Sequence, residues 1–459
     1  MFLDKYLTIY DDRLTGESYI DPIGTLIIWS AYGQKIFNNR VNSISNDVRN
    51  YTLNLFNHYL IRRLIRDESF QLGSRLLSLY GSKNTLQFKY ACLLYLENMF
   101  VYSILKHDGD KGVDSTGVLG ITNGRRHWSG TNPNPKLVFS NEKDGQLLVR
   151  QLSLGVSGRY KTPFMGIGYF DGNYQYDIPD SGPIWEGVEA LIAGSPQLGQ
   201  LSEAVCDHLK FVLGQNSAKP QISFNDVPEA LHKAYAKTFA SSGFVGKFSR
   251  SYWLAATRLD TGAAGALLQV LDENAESGKP VELSAQRLTE LTPKKDLQPE
   301  EREKIEHIEL LEPFLADVML LFFLLTTKKS QPLTSVIAEW MKLGRDEDTL
   351  RSRAQRVRSN QNLLNVLKGS ALWRLQTMLH LADAPTLLDQ ITLLVDYHGK
   401  VMTGRAQSSW LNIDDNLVKV HVRPSRPPAE KDWPNGTWYN NYYLPQFQWL
   451  VSGYQGGGV

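Results

Sequence analysis

Residues 86–107, LQFKYACLLYLENMFVYSILKH, are apolar on nearly every face of a helix. Such a helix must be covered by other elements on all sides, which places it at the centre of a domain. The preceding stretch, NDVRNYTLNLFNHYLIRRLIRDES, sets Leu53, Phe56, Tyr59, Leu60 and Leu64 at helical spacing. Helical patterning returns from Ile184 to about Leu213. It returns again up to about Leu394, interrupted by the polar TPKKDLQPEER at 292–302. The most apolar run, VMLLFFLL at Val318–Leu325, is only eight residues long and is flanked by Asp317 and Lys328–Lys329. A bilayer needs roughly 20 apolar residues, so this run reads as a buried helix. The expected fold class is mainly α.

Two regions break the helical pattern. Between 108 and 183, Gly, Asp, Asn and Pro recur every few residues, with short runs such as KLVFS and QLLVRQL between them. This predicts an irregular, Gly- and aromatic-rich middle of long ordered loops with two short strands at most. Tyr160, Phe164, Tyr169, Phe170, Tyr174 and Tyr176 argue against disorder there. Near the end, WLNIDDNLVKVHV alternates at Val418, Val420 and Val422 around an Asp414–Asn416 turn, a hairpin signal. RPSRPP follows as an extended basic spacer, then an aromatic tail from Trp433 to Tyr454. The expected domains are 1–215 (helical, with the loop-rich insertion 108–183), 225–400 (helical) and 401–459 (hairpin and tail).

The formal net charge is +1, so any nucleic-acid surface has to be local. Two cysteines, Cys92 and Cys206, exclude a disulfide framework or a cysteine-rich zinc site and suit a reducing cytoplasm. The N-terminus, MFLDKYLTIYDDRLTGES, is too acidic for a signal peptide. The expectation is a cytoplasmic protein with no membrane segment, no cofactor and no metal.

LGVSGRYKTPFMGIGYFDG, residues 154–172, has the outline of a phosphate-binding loop. Gly155, Lys161 and Thr162 stand at the right spacing, but Tyr160 replaces the second glycine. Pro163 disfavours helix at Thr162, and two further glycines follow, so the helix that a phosphate loop needs is not expected. A tightly turning structural loop is the better reading. No Asp or Glu is followed two positions later by Lys, which disfavours restriction-type nuclease chemistry. HDGDKGVD lacks EF-hand spacing. There is no G-x-S-x-G and no HExxH. Cys206 and His208 point apart on a helix, and DYHGK at 396–400 reads equally well as a helix end.

Two basic features stand out. In TSVIAEWMKLGRDEDTLRSRAQRVRSNQNLLNVLKG, Gly344 separates two helices, and Leu350, Ala354 and Val357 form the apolar stripe of the second. Arg351, Arg353, Arg356 and Arg358 flank that stripe, in outline a helix-turn-helix, although Ala338 and Gly344 are not at the usual motif spacing. The alternative is a helical hairpin with a solvated face. The second feature joins NGRRHWSGTNPNPK to SGRYK: Arg125, Arg126, Arg159 and Lys161, with His127 and Lys136, stand near Trp128 and Tyr160. Arginine beside exposed aromatics suits phosphate contact with base stacking. Otherwise these arginines tie loops down through backbone carbonyls.

The order LQFKYACLLYLE, GVLGITNGRRHW, LGVSGRYKTPFMGIGYFD loosely resembles uncharacterised accessory subunits of bacterial anti-phage, DNA-targeting defence systems. The resemblance lies in layout over the first 200 residues or so and supplies no site. It implies a non-ATPase accessory subunit. The expected function is a non-catalytic subunit that binds nucleic acid, DNA in the first instance, or protein subunits of the same system. The alternative is a metal-dependent nuclease or hydrolase using Asp108, Asp110, Asp171 or Asp396.

Overall fold

The computed structural model describes residues 21–43, 45–129, 134–277, 283, 287–288 and 297–457. The fold is mainly α. The described residues divide into two compact units, one within 38–261, 271–279 and 445–459, the other within 1–37, 262–270 and 280–444.

The first unit is built on helices α1 to α10: Val48–Arg66 (α1), Ser74–Tyr80 (α2), Leu86–Lys106 (α3), Ile121–His127 (α4), Gln151–Leu154 (α5), Val156–Ile167 (α6), Ser181–Gly194 (α7), Pro196–Leu213 (α8), Glu229–Thr238 (α9) and Ser242–Thr257 (α10). Helix α3 is the one read from residues 86–107, and it is buried almost throughout from Phe88 to Leu105. Helices α1, α4 and α9 pack against it. Two short antiparallel strands, Lys136–Val138 (β1) and Gln221–Ser223 (β2), pair with Leu137 opposite Ile222. Helix α1 starts where Asp47, in extended backbone, accepts the Arg49 N–H at 2.8 Å.

The closing helix of this unit comes from the far end of the chain, in Leu444–Tyr454. It lies against α10 so closely that a Cβ on Gly246 would stand 2.0 Å from the Gly453 carbonyl oxygen. Only glycine fits there. Thr52 on α1 receives the Trp253 indole N–H at 2.9 Å, which fixes the other face of α10.

Residues 154–172 differ from the loop expected of them. Val156–Ile167 is an α-helix with Pro163 inside it. Tyr160 and Phe164 supply the reason. Both are fully buried, with the Tyr160 ring centroid 4.5 Å from that of Tyr51 and Phe164 5.9 Å from Trp253. Aromatic burial of this size outweighs a few weak helix formers. Gly168, at φ 102°, then ends the helix.

In the second unit the central element is Pro299–Leu325, which buries the whole of Val318–Phe322. Thr349–Arg358 and Leu26–Ile36 pack on it. The expected hairpin is present as Leu411–Asp414 (β4) and Leu417–Val420 (β5), turned by Asp415 and Asn416 at φ 48° and 64°. Ser330–Pro332 (β3) joins the outer side of β5, giving the order β3-β5-β4.

Candidate nucleic-acid interface

The arginines of Thr349–Arg358 are largely engaged within their own unit. Arg351 bonds Asp348 and donates to the Ala384 carbonyl at 2.9 Å. Arg353 reaches Asp317 at 3.3 Å and Asn435 at 2.7 Å. Arg358 forks onto both carboxylate oxygens of Asp383 at 2.8 Å and adds the Leu379 carbonyl. Arg356 is exposed. Asp317 is also held by Arg345 at 3.1 Å, and both side chains of that pair are almost fully buried. Burial pushes the Asp317 carboxyl up, and the two guanidiniums pull it back. The turn before the helix does use Gly344 in the left-handed region, at φ +76°.

The second basic group lies in the first unit. Arg125, on α4, is tied to Asp108 at 3.1 Å and to the Ser115 hydroxyl at 2.7 Å. Arg126 is exposed, with only a 3.5 Å approach to the Asn123 side-chain oxygen. Lys161 donates to the Gly172 carbonyl at 2.6 Å and lies 4.5 Å above the Tyr174 ring. Arg159 is exposed, but Tyr160 beside it is buried, so no base can stack on that ring. Trp128 packs inward on Phe224 at 5.5 Å.

A cleft of about 580 Å³ opens beside Arg126. His127, Lys143, Gln146, Val149 and Arg150 line it. His127 is the last residue of α4, and its Nδ1 is 3.1 Å from the Tyr102 hydroxyl. Arg150 sits at φ 56° just before α5, which turns its backbone out of the helix. Val149 is 80% exposed. No carboxylate lines the cleft among the described residues. Glu142 and Asp144, on either side of Lys143, are both bound by Lys219, at 2.6 and 2.9 Å. The sequence signal for Lys143 is hidden by these two flanking acids, and Arg150 stood outside any basic run.

The N-terminus of α6 answers the phosphate-loop question. A helix N-terminus attracts an anion, and here the anion is Glu97 of α3. Its Oε1 accepts the Ser157 N–H at 2.8 Å, and its Oε2 accepts the Gln151 amide at 2.9 Å. A Cβ on Gly155 would stand 2.6 Å from Glu97 Oε2, so the glycine of the loop outline makes room for this carboxylate. Burial raises the Glu97 carboxyl, while the Gln151 and Ser157 donors oppose that.

The carboxylates of the alternative reading are dispersed. Asp108 holds Arg125, Asp110 meets His107 Nδ1 at 2.7 Å, and Asp171 caps a turn through the Asn173 and Gln175 N–H groups at 2.8 and 2.9 Å. Asp396 is exposed on Leu387–Thr403 of the other unit. Among the described residues no group of three or more His, Cys, Asp or Glu is placed to hold a metal. In DYHGK, His398 is structural. It is within 2.8 Å of the Pro22 carbonyl and accepts the Trp410 N–H at 2.9 Å. No helix among the described residues is long and apolar enough to cross a membrane.

Comparison with protein-family models, with curated proteins and with solved structures finds no match to this chain.

Proposed function

We propose that the chain is a non-catalytic subunit of a multi-protein system and binds nucleic acid, DNA in the first instance, through the cleft of His127, Lys143 and Arg150. One observation carries this reading: three basic side chains line a cleft in which no described residue is acidic. Lys143, Arg150 and the neighbouring Arg126 form no ion pair among the described residues, so their charge is available to phosphates. The exposed Val149 offers an apolar surface to sugar or base between those cations. A duplex or single strand laid along the cleft releases counterions from its phosphates, which makes affinity salt-dependent. An accessory place in anti-phage defence is the setting that the sequence resemblance implies.

Fluorescence anisotropy with labelled duplex and single-stranded DNA, titrated with salt, tests the reading. Lys143, Arg150 and Arg126 each neutralising one phosphate give a slope of log K against log salt of about −3 on duplex. Affinity that stays unmeasurable at about 50 mM salt overturns it.

A further inference from the structure

We infer that the cleft between α8 and the start of α9 is a docking site for a partner-protein segment in which an apolar anchor is flanked by Lys or Arg. The cleft measures about 480 Å³. Its α8 wall carries Ala204, Asp207, His208 and Phe211, which share one helix face at i, i+3, i+4 and i+7. Ile222 of β2, with Leu231 of α9, faces them. Phe211 is 64% exposed, more than any other aromatic ring among the described residues. An exposed ring above an apolar cleft marks a surface shaped for contact.

Charge decides the occupant. Asp207 and Asp226 both line the cleft, and both are exposed. Neither forms an ion pair among the described residues. The other charges nearby are engaged: Glu203 with Arg63, Lys210 with Asp67, and Glu229 with Lys233. The imidazole at the base, His208, is buried against the Tyr95 hydroxyl at 2.8 Å. Burial lowers its pKa to about 4, so it adds no positive charge at neutral pH. Two exposed carboxylates with no ion-pair partner among the described residues, Asp207 within the field of Lys210 one turn along, repel nucleic acid and attract a basic segment, while the apolar floor takes a Leu, Met or aromatic side chain. This site is separate from the DNA-binding reading and does not rest on it.

The test pans a phage-displayed library of random dodecamers on the full chain, with counter-selection on Phe211→Ser. That substitution replaces an exposed ring, and an unchanged thermal melt confirms an intact fold. Enriched peptides are expected to carry an aromatic or aliphatic residue beside Lys or Arg. A labelled enriched peptide is expected to bind about tenfold more weakly, or worse, to Phe211→Ser and to the double variant Asp207→Lys, Asp226→Lys. DNA anisotropy of Phe211→Ser should match the parent, which separates this site from the basic cleft. The proposal is overturned if no peptide is enriched over Phe211→Ser or if the enriched peptides are acidic. It is also overturned if light scattering shows the chain pairing with itself through Phe211.

Discussion

Asn42 Nδ2 donates at 3.1 Å to the Arg159 carbonyl, the one carbonyl of α6 that Pro163 deprives of its helical partner. A proline inside a helix removes the i→i−4 bond at its own position. Here a side chain outside the helix replaces that bond. Arg40 does the same service at the far end, donating to the Pro163 and Gly166 carbonyls at 3.2 and 2.8 Å. Asn42→Ala is therefore expected to cost about 1 kcal/mol. In a Pro163→Ala background the same change should cost close to nothing, because the alanine at that position supplies the missing N–H. Urea denaturation of the four proteins in this cycle measures the coupling; equal costs in both backgrounds would remove Asn42 from that role.

Glu97 holds the α6 N-terminus from within the core. Glu97→Ala leaves the Ser157 N–H and one of the two Gln151 amide N–H groups without an acceptor, the other still donating to Asn98 Oδ1 at 3.0 Å, at a site where Glu97 is only 4% exposed. Each buried unsatisfied group costs about 1–3 kcal/mol, so a loss above about 2 kcal/mol is expected in the denaturation midpoint. Added phosphate should not restore it, since the enclosed space there is small.

Charge reversal separates the two basic regions. Lys143→Glu or Arg150→Glu should lower DNA affinity about tenfold at low salt and flatten the salt slope by about one unit, with stability unchanged. Arg353→Ala should do the opposite. It strips a partner from the buried Asp317 and from Asn435, so the melting temperature falls while DNA affinity holds. Anisotropy and thermal melts on the same three proteins check both halves.

Glu312 makes the second unit sensitive to pH. Its carboxylate is fully buried and accepts the Trp29 indole N–H at 2.8 Å, the Tyr442 hydroxyl at 2.6 Å, and the Tyr439 and Asn440 N–H groups at 2.5 and 2.8 Å. Burial pushes its pKa from 4.5 up to about 7. The folded state thus holds a proton that the unfolded state gives up. Its contribution is fully present below pH 4.5 and is lost as pH rises through about 7. His398, lowered to about 4 by burial, titrates in the opposite sense, since unfolding exposes it to protonation below its ordinary value of 6.5. The informative quantity is therefore the stability of the parent minus that of Glu312→Gln. That difference should decline between pH 5 and 8, by up to about 3 kcal/mol. A flat difference across this range refutes the assignment.

How much of this was legible in the sequence depended on where each partner lay. The buried helix at 86–107 was readable because its signal is local: apolar residues on every face. The hairpin was readable because Asp415 and Asn416 carry its turn chemistry within two residues. The third strand, Ser330–Pro332, was not, since three residues have no period and their partner lies beyond Leu411. The segment Val156–Ile167 has the sequence of a loop because its rescue as a helix comes from Arg40, Asn42, Tyr51 and Trp253. The arginines at 351–358 read as a basic face because Asp317, Asp383 and Asn435, which bind three of them with Asp348, are distant or single residues in the sequence. Lys143 had the reverse problem. Glu142 and Asp144 flank it in the sequence, whereas in the structure Lys219 binds them both.

The contact between Gly246 and Gly453 bears on how the protein is made. The last wall of the first unit belongs to residues 445–457, whereas the rest of its described part is almost wholly encoded between 38 and 261. A ribosome extending the chain from its N-terminus delivers that wall only after the intervening segment has emerged. Until then α10 presents its glycine groove, and Ser242 beside it, to the surroundings. A unit whose bulk is made by residue 261 is thus among the last to close, and its nascent form must persist through the synthesis of about 180 further residues.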